Sequence, residues 1–498
     1  MLYKFHEPPA LNRNLPFFVQ RDDTIVAPLH PAGQGAVTLL RVSGPSSLEV
    51  LRALTRPHRP SPARQASSAP PMPPARQASS APPAPPTPPA RQARFLALWD
   101  GDQLLDRALV TWFPGPHSYT GEDSAEFSLH ASPYVVQRFL ALCTALPGVR
   151  MAGPGEFTWR AFANGKMDLS RAEAVADLIA AENPMAHRLA MNQLEGGFAR
   201  KIAMLRERMT EFAALLELEL DFSQEDVEFA DRSALRALVQ SVREQVVSLR
   251  DSFAAGEVIR KGIPTVLAGR PNAGKSSLLN ALLQEDRALV SDQPGTTRDT
   301  IEEPCVIDGL TFRLMDTAGL RESLDAVERM GVERTRLKLA HAGLVLMVAG
   351  LDEQPDESWM ELLNLAGRQS KVLVVLNKTD LPDHSHHYAA WLQQFPDLVA
   401  LSTRTGEGLE LLRQRMSSMV SLGRLAGDFV AVNARQRQAL EEAATTLDRI
   451  HQGLQENLGT ELLAEEMRAV LRNLAELTGE IATDDLLGAI FSRFCIGK

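Results

Sequence analysis

The sequence predicts a multidomain α/β + α chain, with an α/β domain inserted into a helical domain that is discontinuous in sequence. Three observations predict this. The chain has 498 residues, and at about 150 residues per domain that is about three domains. Two distant stretches, Ile202-Leu205-Met209-Phe212-Leu216 and Leu440-Ala444-Leu447-Ile450-Leu454, space apolar residues by three and four, as one face of a helix requires. Between them, over roughly residues 260–420, short apolar runs alternate with helical segments. The boundaries read from these shifts are 1–164, 165–256, 257–421 and 422–498.

Composition limits the function classes. Hydrophobic residues make up 44% and charged residues 23%, so most of the chain can bury a core. With 52 Lys plus Arg against 62 Asp plus Glu, the net charge of -10 excludes a chain-wide basic footprint, though not a local nucleic-acid patch. The three cysteines, Cys143, Cys305 and Cys495, form no disulfide framework and suit a reducing compartment. No apolar run reaches about 18 residues, so no membrane span is expected. Met1–Gln20 lacks the order of a signal peptide, and the expected location is cytoplasmic.

In the N-terminal part, Ala36–Val42 and Ala108–Phe113 read as strands. Residues 61–94 between them repeat PARQASSAPP and are too rich in proline and poor in large apolar residues to build a core. They read as a lengthened surface loop, at little closure entropy. From Leu169 the period changes to 3.6, and Ser170-Arg171-Ala172-Glu173 reads as a capping box with Ser170 as the cap. The cluster His384, His386 and His387 reads as a solvated loop rather than a metal site.

The strongest motif is Gly269-Arg-Pro-Asn-Ala-Gly274-Lys275-Ser276, which fits G-x-x-x-x-G-K-[ST] between an apolar strand, Thr265–Ala268, and a helix from Ser277. Backbone N–H groups of such a loop cradle phosphate oxygens; Lys275 would neutralise them and Ser276 would reach Mg2+. Asp316-Thr317-Ala318-Gly319 follows a strand as D-x-x-G, where Asp316 would reach Mg2+ through water and the Gly319 N–H would meet the γ-phosphate. Asn377-Lys378-Thr379-Asp380 ends another strand. A carboxylate at Asp380 accepts from both guanine N1–H and the 2-amino group, and adenine offers neither donor. Ser402-Thr403-Arg404 fits the last base-contacting loop, and Thr297 in Gly295-Thr296-Thr297-Arg298-Asp299 is the candidate to close over Mg2+. Leu320 stands where Ras-like enzymes carry the glutamine that orients water, so either hydrolysis is very slow or another group acts. Asn272 either ligates a monovalent cation near the phosphates or serves loop hydrogen bonding, and Glu328 is a candidate to position water.

GRPNAGKSSLLNALL, GTTRD, DTAGLRES, VERMG, NKTD and the terminal FCIGK together resemble the tRNA-modification GTPase family called MnmE or TrmE, as do SYTGEDSAE at Ser118–Glu126 and Pro154–Ile179. The resemblance implies a P-loop GTPase (Ras-like) domain inserted into the helical domain, after an α+β folate-binding N-terminal domain that dimerises. It implies a K+-stimulated GTP hydrolase and homodimer. With a flavoprotein partner of the MnmG type, which alone carries FAD, such a protein installs an aminomethyl or carboxymethylaminomethyl group at C5 of the tRNA wobble uridine. The one-carbon unit would come from a tetrahydrofolate derivative, 5-formyl- or methylene-tetrahydrofolate. Carried over by motif, the GTP shell is Asn272, Ala273, Gly274, Lys275, Ser276 and Ser277, then Ser291, Asp292, Gln293, Pro294, Gly295, Thr296 and Thr297. Asp316, Thr317, Ala318, Gly319, Asn377, Lys378, Asp380, Ser402, Thr403 and Arg404 complete it. Ser276 and Thr297 would hold Mg2+; Asn272, Ser291, Gln293 and Thr296 would surround K+; Glu328 would orient water through a bridging water. Arg41, Glu126 and Lys166 match the folate contacts, and Cys495 is either reactive or a structural thiol.

Four features depart from the family pattern. His130 is followed by Ala131-Ser132-Pro133 instead of a glycine pair, Val348-Ala349-Gly350 replaces an ending in aspartate, and the proline-rich insert and the N-terminal extension are atypical. A GTPase switch in ribosome assembly, without modification chemistry, is the competing function; a C-terminal RNA-binding loop would favour it, whereas Leu454–Lys498 reads as amphipathic helix.

Overall fold

The computed structural model describes residues 22–30, 35–55, 89–221, 231–286, 302–316, 342–367, 370–381, 385–420 and 430–492, with Phe494 and Gly497. The chain divides into two compact units, Met1–Glu173 with Thr478–Lys498, and Ala174–Leu477.

In the first unit the chain runs β1 (Thr24–Pro28), β2 (Val37–Ser43), α1 (Ser47–Leu54), β3 (Ala93–Asp100), β4 (Gln103–Phe113), β5 (Ser124–His130), α2 (Pro133–Thr144), β6 (Val149–Met151) and α3 (Glu156–Ala163). The strands form one sheet in the order β3-β4-β5-β2-β1-β6. All pairs are antiparallel except β1 with β6. Side chains alternate between sheet faces, so one face is read from every second residue. Val26, Leu40, Val42, Val110 and Phe127 line one face and pack on Val50, Leu51 and Leu54 of α1 and on Phe139 and Cys143 of α2. On the other face, Ile25 and Ala27 meet Phe157 of α3.

The strands on either side of the proline-rich segment lie in this one sheet. That segment ends earlier than its composition suggests. Ala90 bridges to Trp112, and Ala93 and Arg94 already belong to β3; residues 56–88 lie outside the described residues. Thr55 bridges to Leu98, so the sheet ties both flanks. The last helix, Asp484–Phe491, packs on α3: Phe491 is buried, and a Cβ on Gly155 (φ 68°) would lie 2.4 Å from the Phe491 carbonyl oxygen. The end of the chain thus belongs to the first unit, not to the helices before it.

The helix α4 (Leu169–Ile179) crosses the boundary between the units. Its cap differs from expectation. Asp168 Oδ1 accepts from the Arg171 N–H at 2.9 Å and from the Ser170 hydroxyl at 2.5 Å, so Asp168 caps the helix and Ser170 is buried in its first turn. A carboxylate at a helix N-terminus also meets the positive end of the dipole, which a hydroxyl does not match.

The second unit continues with α5 (Pro184–Leu194), α6 (Gly197–Asp221) and α7 (Arg232–Lys261). The inserted domain follows as β7 (Ile263–Ala268), α8 (Lys275–Asp286), β8 (Glu303–Ile307), β9 (Leu310–Asp316), β10 (Leu344–Gly350), α9 (Glu357–Gly367), β11 (Lys371–Asn377), α10 (Ser385–Gln394), β12 (Val399–Ala400) and α11 (Leu409–Met419). The helices resume as α12 (Ala434–Gln455) and α13 (Thr460–Thr478). α6, α7, α12 and α13 share one core containing Ile202, Leu205, Met209, Leu216, Leu440, Leu447, Ile450 and Leu454, which is the face read from the periodicity. The inserted sheet has the order β12-β11-β10-β7-β9-β8, parallel except for the β8–β9 hairpin. β10 is buried along its whole length, as a central parallel strand covered on both faces must be.

The helix α7 continues through residues 256 and 257, the boundary expected from sequence, and ends at Gly262 (φ 76°), directly before β7. Ala186 and Leu189 of α5 and Ile259 of α7 belong to the same core as Leu267, Leu314 and Leu346. Asn183 caps α5 and donates to Ile259 O and to Thr311 Oγ1 on β9 at 3.0–3.1 Å. The helices and the inserted sheet are therefore one packed body, not beads on a linker.

Candidate functional site

The residues 269–276 form the turn from β7 into α8, with helix starting at Lys275. Two glycines are required by close approach. A Cβ on Gly269 would lie 2.0 Å from Val348 O, and one on Gly274 would lie 2.0 Å from Asn377 Nδ2. Asn272 is left-handed (φ 65°), a conformation that asparagine tolerates better than most residues. Lys275 is nearly buried, and its Nζ donates to the carbonyls of Gly269 (3.1 Å) and Arg270 (2.7 Å). These are weak neutral acceptors that an anionic phosphate can displace. Ser276 Oγ donates to Asp316 Oδ2 at 2.7 Å. A hydroxyl and a carboxylate together at a helix N-terminus form a hard-oxygen set that suits Mg2+. Ser277 follows in the helix.

The base end is assembled from three loops. Asn377, 1% exposed, donates from Nδ2 to Ala273 O at 3.1 Å and accepts from the Thr403 N–H at 3.1 Å. It ties the phosphate loop to the base loop. Asp380 accepts from Ser402 Oγ at 2.6 Å and pairs with Arg404 at 2.7 Å. The Ser402 hydroxyl first, and Arg404 after it, hold the Asp380 carboxyl below its ordinary value, so it stays an ionised acceptor. Lys378 is left-handed (φ 68°) and its ammonium pairs with Asp352. Ser291, Asp292, Gln293, Pro294, Gly295, Thr296, Thr297, Thr317, Ala318, Gly319, Leu320, Glu328 and Cys495 lie outside the described residues.

In the first unit, Arg41 and Glu126 are register partners on β2 and β5. Arg41 Nε and Nη2 both donate to Glu126 Oε1, at 3.0 and 2.9 Å. The guanidinium lies over the rings of Tyr119 (4.6 Å) and Phe157 (5.5 Å). Lys166 does not join that pair: its Nζ donates to Pro116 O at 3.0 Å, in the same 114–123 segment that carries Tyr119. The residues after His130, where the glycine pair is missing, start α2, with Pro133 in its first turn. His130 Nδ1 lies 2.7 Å from Asp106.

Beneath this segment lies a buried network that the sequence reading did not single out. Arg160 pairs with Asp23 (2.5 Å), Glu156 (3.0 Å) and Glu122 (3.3 Å). Arg150 pairs with Asp23 and Glu156, both at 2.6 Å. Glu122 also accepts from Ser43 Oγ at 2.8 Å. Burial works against the Arg160 charge, but Glu122, Glu156 and Asp23 outweigh it and raise its pKa. The available signal was Glu156 and Arg160 four apart inside Pro154–Ile179. His387, expected in a solvated loop, instead lies in α10 with Nδ1 3.1 Å from Leu351 O. Among the described residues no cluster of His, Cys, Asp and Glu could hold a metal.

Two family models match the chain. The MnmE helical domain matches residues 169–495 and the GTP-binding protein TrmE N-terminus matches residues 24–166. The chain is 41% identical over 495 residues to the tRNA modification GTPase MnmE of Christiangramia forsetii, covering 96% of this chain and 99% of that one. It is 40% identical to that of Erwinia tasmaniensis over 96% of this chain and 100% of that one. Among solved structures, the G domain of the T. maritima FeoB iron transporter is 27% identical over 32% of this chain and 98% of that chain, with a TM-score of 0.24. The helical model alone spans more than half of the chain, and the chain belongs to the MnmE (TrmE) family of tRNA modification GTPases.

Proposed function

We propose that this protein hydrolyses GTP to drive modification of the tRNA wobble uridine at C5, together with a flavoprotein of the MnmG type, using a folate one-carbon unit. The observation that carries the nucleotide half is the ionised Asp380, oriented by Ser402 and set across Asn377 from the phosphate loop. Guanine would displace Arg404 from Asp380, and the triphosphate would draw Lys275 away from its carbonyl partners. Mg2+, when bound, neutralises charge on the β- and γ-oxygens; Ser276 and Thr297 would hold it, with Asp316 reaching it through water. Asn272, with Ser291, Gln293 and Thr296, would place K+ where an arginine finger otherwise sits, and Glu328 would orient the attacking water.

For the folate half, Arg41 suits a glutamate-tail carboxylate, and Lys166 suits a second. Glu126 would exchange part of its pairing with Arg41 for the amino–imine edge of a pterin. The same sheet face exposes Val37, Phe95 and Leu109, at 56%, 67% and 47%. Exposed apolar residues gathered on this face support homodimerisation through this unit. Among the described residues no helix is long and apolar enough to cross a membrane.

Mass spectrometry of nucleosides from total tRNA of cells lacking the protein tests the whole reading. The expected result is loss of C5-aminomethyl-type wobble uridines, restored by the wild type and not by Glu328→Ala. An unchanged nucleoside profile would favour the ribosome-assembly function. Replacing K+ by Na+ should cut kcat strongly, and equal rates in both salts would remove the role of Asn272.

A further inference from the structure

The strand β10 ends at Gly350, and the next three residues form a turn whose purpose the nucleotide motifs do not explain. The turn is held on several sides. The Leu351 N–H donates to Asn377 O at 2.9 Å, and the Glu353 N–H donates to Gly350 O at 2.9 Å. From α10, Trp391 Nε1 donates to Glu353 O at 2.9 Å, and His387 Nδ1 lies 3.1 Å from Leu351 O. This fixed turn presents Asp352, whose two carboxylate oxygens take Lys378 Nζ at 2.9 and 3.1 Å. A side chain at position 350 would meet the Asp352 carboxylate. A Cβ there would lie 2.1 Å from Asp352 Oδ1 and 3.3 Å from Lys378 Nζ. A side chain at 350 and the carboxylate at 352 would therefore crowd one another beside the same ammonium.

We propose that Asp352 is a positioning residue of the base pocket: by holding the Lys378 ammonium it lays the methylene stem of that lysine along the guanine site. The inference rests on reading this site as one for a guanine nucleotide. Its neighbours in the motif are already fixed, Asn377 by Ala273 and Thr403, and Asp380 by Ser402. Lys378 differs because its stem has four rotatable bonds, and ordering it on nucleotide binding is costly unless something anchors its end. A pre-anchored stem offers an apolar surface to a planar base while its charge stays paired. The pair is half-exposed, so its effect is moderate.

The test is equilibrium binding of a fluorescent GDP analogue, with GTPase kinetics, on the full chain. Asp352→Ala should weaken GDP about five-fold and raise KM by a similar factor, with kcat within about two-fold. Asp352→Asn, which keeps the shape, should weaken GDP in the same direction and serves if the alanine variant does not fold. Gly350→Asp alone should also weaken binding, because its Cβ would push the Asp352 carboxylate off the Lys378 ammonium. The backbone at Gly350 is not left-handed, so aspartate fits there once Asp352 is removed. The double variant Gly350→Asp/Asp352→Ala should therefore return to within about two-fold of wild type, a coupling that loss of a merely structural residue would not produce. Unchanged affinity in Asp352→Ala, or a folded double variant as weak as the two losses combined, overturns the role of Asp352 while leaving the nucleotide site standing. A wild type that binds no GDP analogue brings down the guanine reading and this inference together.

Discussion

The nucleotide site and the Arg41 face of the first unit keep their charges in opposite ways. At the nucleotide site, Lys378 apart, the polar groups that would meet the ligand have partners that it can replace. Lys275 rests on two carbonyls, Ser276 on Asp316, and Asp380 on the largely exposed Arg404. Below the Arg41 face, Arg160, Asp23 and Glu156 are 2%, 6% and 1% exposed and pair only with one another and their neighbours. The difference separates two uses of charge. Groups that must exchange partners are left in weak pairs, whereas groups that only hold backbone in place are paired permanently and kept from water. The buried network fixes the 114–123 segment through Glu122, and that segment carries the Tyr119 ring under Arg41.

The largest effect should come from breaking the permanent network. Arg160→Met leaves Asp23, Glu122 and Glu156 short of a cation, and removal of one buried partner costs about 3–5 kcal/mol. Calorimetry should show a lowered transition for the first unit with nucleotide binding unaffected; a loss below about 1 kcal/mol would mean that solvent already reaches these carboxylates. Next comes the exchangeable site. Asp380→Asn removes charge-assisted bonds to guanine and should weaken GTP about 100-fold while improving xanthosine triphosphate. Competition binding with the two nucleotides reads this directly, and an unchanged preference would remove Asp380 from base recognition. Because its carboxyl is held below the ordinary value, it stays ionised as pH falls from about 7 to about 5, so the preference for guanine over adenine nucleotides should stay flat across that window.

A smaller effect sits where the two modes meet. Tyr119→Leu removes the ring under Arg41, a contact of about 0.5–1 kcal/mol. It should weaken folate binding only a few-fold in titration calorimetry and leave GTP turnover alone. No change would mean that the Glu126 pair alone orients Arg41. The smallest effect is expected from deleting residues 61–88, chosen because Ala90 and the start of β3 are part of the sheet. Activity and dimerisation should remain near wild type, since loop length enters closure entropy only logarithmically. Loss of the dimer on gel filtration would show the insert to be more than a spacer.

The two sites were unequally legible in the sequence. The phosphate loop is eight consecutive residues, and Asn377-Lys378-Thr379-Asp380 is four, so local order displayed the chemistry. Arg41 and Glu126 are 85 residues apart and meet only through strand register. Residue types alone made them ordinary surface charges, and it was the resemblance that singled them out. The α4 cap was misread for a related reason: Asp168 and Ser170 are both good caps, and burial of Ser170 decided between them. Gly350 read only as a departure from the family pattern, and its meaning appears once Asp352 and Lys378 are seen beside it.

By itself the sequence determined the helical stripes, the order of the nucleotide motifs and the inserted topology, because these rest on short spacings and on backbone geometry that short segments carry with them. Tertiary structure alone decided which charges are buried together and that the final helix lies on α3. It also decided that the inserted sheet shares its core with α5 and α7. Those outcomes depend on which distant surfaces exclude water from one another, and no local pattern of residues encodes that choice.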